Sequence, residues 1–121
     1  RGRRPEGKDL EAAAQLEVVE VHRQAEDVET AGEAEQKLER LVEALRLYPK
    51  NKTLQEAGTA ALCGICRGED EAGARRKHRA SLAGALEVLP SSLRSHAWDD
   101  AIQVNGCGAL RMLCMGSDAA E

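Results

Sequence analysis

Residues 54–70, LQEAGTAALCGICRGED, and residues 102–118, IQVNGCGALRMLCMGSD, repeat one pattern. Laid together without gaps, seven of their 17 positions are identical: Gln55/Gln103, Gly58/Gly106, Ala61/Ala109, Leu62/Leu110, Cys66/Cys114, Gly68/Gly116 and Asp70/Asp118. Ordinary composition gives about one or two identities by chance. The pairs Leu54/Ile102 and Ile65/Leu113 keep the apolar phase. Self-similarity of this kind marks stacked units, none of which can bury its apolar face alone.

The helices before the two copies match as well. Leu41-Val42-Glu43-Ala44-Leu45 pairs with Leu82-Ala83-Gly84-Ala85-Leu86, and Pro49 with Pro90. That spacing is 41 residues, against 48 for the later helices. The seven-residue difference is expected in the second loop, near residues 93–99, because loops tolerate insertion.

Apolar spacing sets the other elements. Leu10, Ala14, Val18, Val21, Ala25 and Val28 recur at helical intervals from an Asp9 cap. Ala34, Leu38, Leu41, Val42, Leu45 and Tyr48 mark a helix over 33–48 that Pro49 stops. A third helix covers about 53–67, capped by Thr53 or Asn51, with Gly68 at its end. Gly58 and Gly64 inside it imply another backbone packed close by. The next helix opens at Glu69-Asp70-Glu71 and carries Leu82, Leu86 and Leu89 as far as Pro90, with Ala83-Gly84-Ala85 a turn or a close-packing point. Residues 91–95 read as a loop. The last helix starts near Trp98 and ends at Gly116. Residues 1–8, RGRRPEGK, read as a flexible basic tail, and 9–121 as one helical domain: 9–32 an N-terminal helix or degenerate repeat, 33–70 one repeat, 71–118 a repeat with a loop insertion.

These motifs resemble armadillo-type repeats, with Leu41, Val42, Leu45, Gln55, Glu56, Ala61, Leu62, Gly84 and Ala85 on the family pattern over residues 33–116. Gly64 and Met112 stand where the family carries an Asn that lines its peptide groove. The resemblance implies an all-α, right-handed, armadillo-like helical solenoid of about two to three repeats. It also implies a non-catalytic protein–protein interaction scaffold, with no cofactor or metal. The alternative is a helical accessory domain or subunit of a larger enzyme or assembly.

Composition fits that frame. Of 121 residues, 42% are hydrophobic but only Tyr48 and Trp98 are aromatic, which argues against a β-sandwich or barrel. No apolar run approaches the roughly 20 residues of a membrane span. A net charge of −4 argues against nucleic acid as a partner. Beginning at Arg1, the chain reads as a fragment or a processed form. Cys63, Cys66, Cys107 and Cys114 read as free thiols, placing the chain in the cytoplasm or nucleus. The repeat alignment puts Cys66 and Cys114 in equivalent core slots, and a four-thiolate zinc site or a redox pair is the other reading.

Candidate contact residues for a protein partner are Arg75, Arg76 and Arg79 in the basic run, and His96 and Trp98 in the second loop. Each has a plainer reading. The run can be a solvated face balanced by Glu69, Asp70 and Glu71, and Asp99 or Asp100 can simply cap the last helix while Trp98 covers the core. No Ser-His-Asp order, phosphate loop, HExxH or EF-hand pattern occurs. Without a terminal cap, Ala109, Leu113 and Met115 should be exposed, leading to self-association or membership of a longer array.

Overall fold

A computed structural model describes residues 7–119, with side chains described as far as Met115. Seven helices occur among these residues, and no strand: α1 Gly7–Glu26, α2 Ala31–Gln36, α3 Leu38–Leu47, α4 Lys52–Ile65, α5 Glu71–Ala83, α6 Ala85–Ser95 and α7 Asp100–Ala119. The chain is all-α, as its composition requires. α4 lies between α1 and α7 and packs on both. Beside that row, α3 packs on α4 and α6, and α6 on α7. α2 touches α1, α3 and α4, while α5 touches α3, α4, α6 and α7. One core runs through these contacts, from Val18 and Val21 through Leu38, Leu41, Leu54 and Leu62 to Leu89 and Leu113.

The two sequence copies form α4 and α7, and their matched residues do matched work. Gln55 is 1% exposed, and its Nε2 donates to the Leu45 carbonyl at 3.1 Å and the Tyr48 carbonyl at 2.9 Å. Gln103 Nε2 donates to the Leu93 carbonyl at 3.0 Å and the His96 carbonyl at 2.9 Å. Each glutamine thus satisfies the carbonyls that the end of the preceding helix leaves open. Asn51 caps α4 by accepting from the Leu54 N–H, and Asp99 caps α7 by accepting from the Ile102 N–H, both at 3.0 Å. A methyl group on Gly58 would lie 2.4 Å from Leu45 Cδ2, and one on Gly106 2.8 Å from Leu93 Cδ2. Both glycines are therefore seats for a leucine of the preceding helix. What Gly58 accommodates is that side chain and not the expected backbone. Gly64 faces Ala25, whose Cβ would lie 3.4 Å from a methyl group added there.

These pairs share a spacing of 48 residues, which moves the insertion. The turns 48–51 and 96–99 are equally long. The extra seven residues lie instead in the first helix of the second unit, since α5 has 13 residues and α2 six. The prolines do not correspond in the structure, and pairing them displaces the insertion. Pro49 follows α3, but Pro90 sits inside α6, where residues 91–95 continue the helix rather than form a loop. Midway along α6, the missing proline N–H removes one intrahelical bond while the buried face Ala85, Val88, Leu89 and Ser92 holds the turn in place. Leu82 and Leu86, expected inside, are 75% and 44% exposed.

Other boundaries shift for local reasons. The predicted 33–48 helix breaks at Lys37, so that Ala34 and Leu38 are both fully buried. Gly84, with φ +106°, ends α5 and starts α6, a left-handed position that glycine takes without a Cβ penalty. Gly68, at φ +104°, turns the chain after α4 as expected. Asp70 caps α5 by accepting from the Gly73 N–H at 2.9 Å. α1 begins at Gly7, so Asp9 lies in its first turn and only residues 1–6 of the predicted tail fall outside the described residues. Val28 lies beyond α1 and is 93% exposed. α7 continues through Gly116.

Candidate functional site

The basic run on α5 splits between internal roles. Arg79 reaches α2 and α3, donating to Glu35 Oε2 at 3.1 Å and to Glu39 Oε1 at 3.0 Å. Arg75 approaches Glu35 at 3.6 Å. Arg76 donates from Nε to the Ile65 carbonyl and from Nη2 to the Arg67 carbonyl, both at 2.8 Å, closing the C-terminal end of α4. Cations at a helix C-terminus also meet the negative end of its dipole. The three arginines of the predicted patch therefore tie α5 to its neighbours, and the acids that balance them are Glu35 and Glu39 rather than Glu69, Asp70 and Glu71. Lys77, in the same run, is buried and turns toward the Gly68 carbonyl at 2.8 Å.

His96 and Trp98 lie in the turn between α6 and α7, but the structure does not bring them to one surface feature. The His96 ring nitrogen Nε2 contacts the Pro49 carbonyl at 2.8 Å, joining the second turn to the first. Trp98 is 96% exposed and covers no core. It occupies the turn position of Lys50, so it stands inside the repeat frame. An exposed tryptophan combines large apolar area with little conformational freedom to lose on binding.

The capping residues carry the electrostatics of the junctions. Asn51 Nδ2 donates back to α1, to Glu11 Oε2 at 2.8 Å and Gln15 Oε1 at 3.0 Å. Asp99 reaches back in the same way to a pair on α4: one carboxylate oxygen accepts from the Ile102 N–H, the other is buried without a hydrogen-bond partner, and the group faces Glu56 and lies 3.9 Å from Lys52 Nζ. Only a protonated Glu56 can donate a hydrogen bond to Asp99, and that preference, with burial second, raises the Glu56 pKa above the usual carboxylate value. The Asp99 pKa is lowered, first by the same preference and then by the Ile102 N–H. When the pair takes up a proton, Glu56 therefore takes it before Asp99.

The cysteines do not share one environment. Cys66 is fully buried, and desolvation pushes its thiol up to about 11. Cys114 is exposed, as is Cys107, so the expected core slot exists for Cys66 and not for its counterpart. α4 has α7 beside it, whereas α7 has no helix on its outward side among the described residues. Ala109 and Leu113 are also buried, contrary to expectation, while Val104 and Met115 are 71% and 49% exposed. Ala109 and Leu113 lie on the face of α7 that joins the core, while Val104, Arg111 and Met115 lie on its exposed face.

Among the described residues, no group of three or more His, Cys, Asp or Glu comes together in a way that could hold a metal ion. None of their helices is long and apolar enough to cross a membrane. The chain matches no protein family, no curated protein and no solved structure.

Proposed function

We propose that this chain is a non-catalytic protein–protein interaction scaffold built from armadillo-like helical repeats, acting in the cytoplasm or nucleus. The observation that carries the reading is the recurrence, at one 48-residue spacing, of a cap, a glutamine bracket and a glycine seat. A chain that repeats its packing devices adds units in one direction, and successive units present an extended surface to a partner. Trp98, held out from a turn anchored by Asp99 and His96, is the contact residue favoured by its exposure.

Affinity capture with this chain as bait, followed by mass spectrometry, tests the proposal. The expected result is a stoichiometric protein partner whose capture falls at least about tenfold with Trp98→Asp, at unchanged thermal stability. Absence of any stoichiometric partner, or capture indifferent to Trp98 and to every other exposed substitution, defeats it.

A further inference from the structure

With Arg75, Arg76 and Arg79 tied internally, three cations that have no carboxylate within salt-bridge distance among the described residues gather elsewhere. Arg67 at the end of α4, Lys77 on α5 and Arg111 on α7 line one cleft of about 390 Å³. Among the described residues, Glu69 is the one acid on its wall, and Met112 and Met115 supply apolar surface. Among the described residues, three cations and one carboxylate give this cleft a positive balance on a chain whose net charge is −4.

Lys77 is the informative member. Its side chain is carried into the junction of α4, α5 and α7, the residue is only 9% exposed, and its ammonium donates to the Gly68 carbonyl at 2.8 Å. An ammonium has three N–H donors, and burying one without an opposite charge is costly. Such a cation at the wall of an open cleft is completed by an anion from outside. Arg67 and Arg111 can close on the same anion, and a guanidinium matches a carboxylate with two parallel hydrogen bonds; both residues are exposed. The thioethers of Met112 and Met115 form a soft, adaptable apolar wall. A cleft of this size is at the small end of ligand pockets, which span about 300–1,000 Å³.

We infer that the Arg67–Lys77–Arg111 cleft binds a peptide segment of a protein partner that presents an Asp or Glu carboxylate beside a bulky apolar side chain. The carboxylate meets the three cations and the apolar side chain lies on Met112 and Met115. No aromatic residue lines the cleft, so base stacking has no platform there. This inference rests on the scaffold reading and gives it a ligand chemistry.

The test is an amide chemical-shift titration of the whole chain with the acetylated tetrapeptide amide Leu-Glu-Glu-Leu. Parallel titrations use Leu-Gln-Gln-Leu and inorganic phosphate. The expected result is saturable shifts clustered at Gly68, Lys77, Gly108, Arg111 and Met112, with the glutamine peptide weaker by about tenfold or more. Arg111→Glu, a surface substitution that leaves the melting temperature in place, abolishes them, and Lys77→Met does the same. Shifts elsewhere, equal binding of the two peptides, or an Arg111→Glu chain that still binds overturns the inference. Phosphate binding as tight as the acidic peptide also overturns it, in favour of a small-anion site. Failure here with stoichiometric protein capture removes the cleft and leaves the scaffold. Saturable binding here with no captured protein defeats the scaffold and keeps the cleft.

Discussion

The first helical unit, α2 to α4, and the second, α5 to α7, contain the same devices in unequal surroundings. Gln55 and Gln103 make the same two hydrogen bonds, yet Gln55 is buried and Gln103 only partly so. Leu45 is 3% exposed, whereas its counterpart Leu93 is half-buried. Cys66 is enclosed and Cys114 is open. The local chemistry is written into each unit, but burial is conferred by the neighbour. In the row of long helices, α4 has α1 on one side and α7 on the other, while α7 has α4 alone.

The widest contrast expected between the units is thiol reactivity. Cys66, with its pKa pushed to about 11 by burial, should react with a thiol reagent only on unfolding, while Cys107 and Cys114 label in the native protein. Mass spectrometry after timed labelling reads this directly, and equal labelling of Cys66 and Cys114 would break the comparison.

Overpacking comes next. Gly58→Leu and Gly106→Leu both force a side chain into a leucine, at a cost of about 1–3 kcal/mol or more. The loss should be larger at Gly58, where the clash is closer and two flanking helices block relief. Urea unfolding of the two variants measures the difference, and equal midpoints would mean that the outer helix is as constrained as the inner one.

Removing the amides should follow the same order. Gln55→Leu leaves the Leu45 and Tyr48 carbonyls without that partner, worth about 1–3 kcal/mol when water cannot replace it. Gln103→Leu should cost less, because its site is partly open to water. Denaturation free energies that reversed this order would show that solvent access does not set the cost.

The smallest effect concerns the caps, Asn51 in the first unit and Asp99 in the second. Glu56 has a raised folded pKa, so its contribution is complete below the ordinary value of 4.5 and is lost as pH rises through the raised value. Asp99 has a lowered one, so its contribution is present above 3.8 and is lost as pH falls through the lowered value. Asp99→Asn gives the second junction the neutral cap of the first. Between about pH 4 and about pH 8 only the Glu56 contribution changes, so the melting temperature of the variant should gain on that of the parent as pH rises through the raised Glu56 value. A pH profile identical to that of the parent would remove the acid pair from the stability of this junction.

Much of the fold is legible in the sequence because apolar phase and glycine position are local signals. The match of 54–70 with 102–118 locates α4 and α7, and the left-handed turn at Gly68 is readable from glycine chemistry, while Gly84 is legible only as a turn or a close-packing point. What is not legible rests on residues with more than one physical use. Proline stops α3 at Pro49 but is carried within α6 at Pro90, and that ambiguity moves the expected insertion from α5 to a loop. A basic run looks the same whether its charges face solvent or reach Glu35, Glu39 and the α4 carbonyls. Arg67 and Lys77 are ten residues apart and Arg111 lies 34 further on, so no spacing in the chain points to their cleft.

Sequence alone determined that this chain is helical and that two of its long helices are copies, and it narrowed the cap of each to two residues. These follow from backbone propensity and periodicity, which act over one or two turns. Tertiary structure alone decided which copies of each device are buried, which arginines are tied down, and where positive charge is left without an acid. Burial and charge pairing depend on what stands on the other side of a helix, and that is set by the packing of helices far apart in the chain.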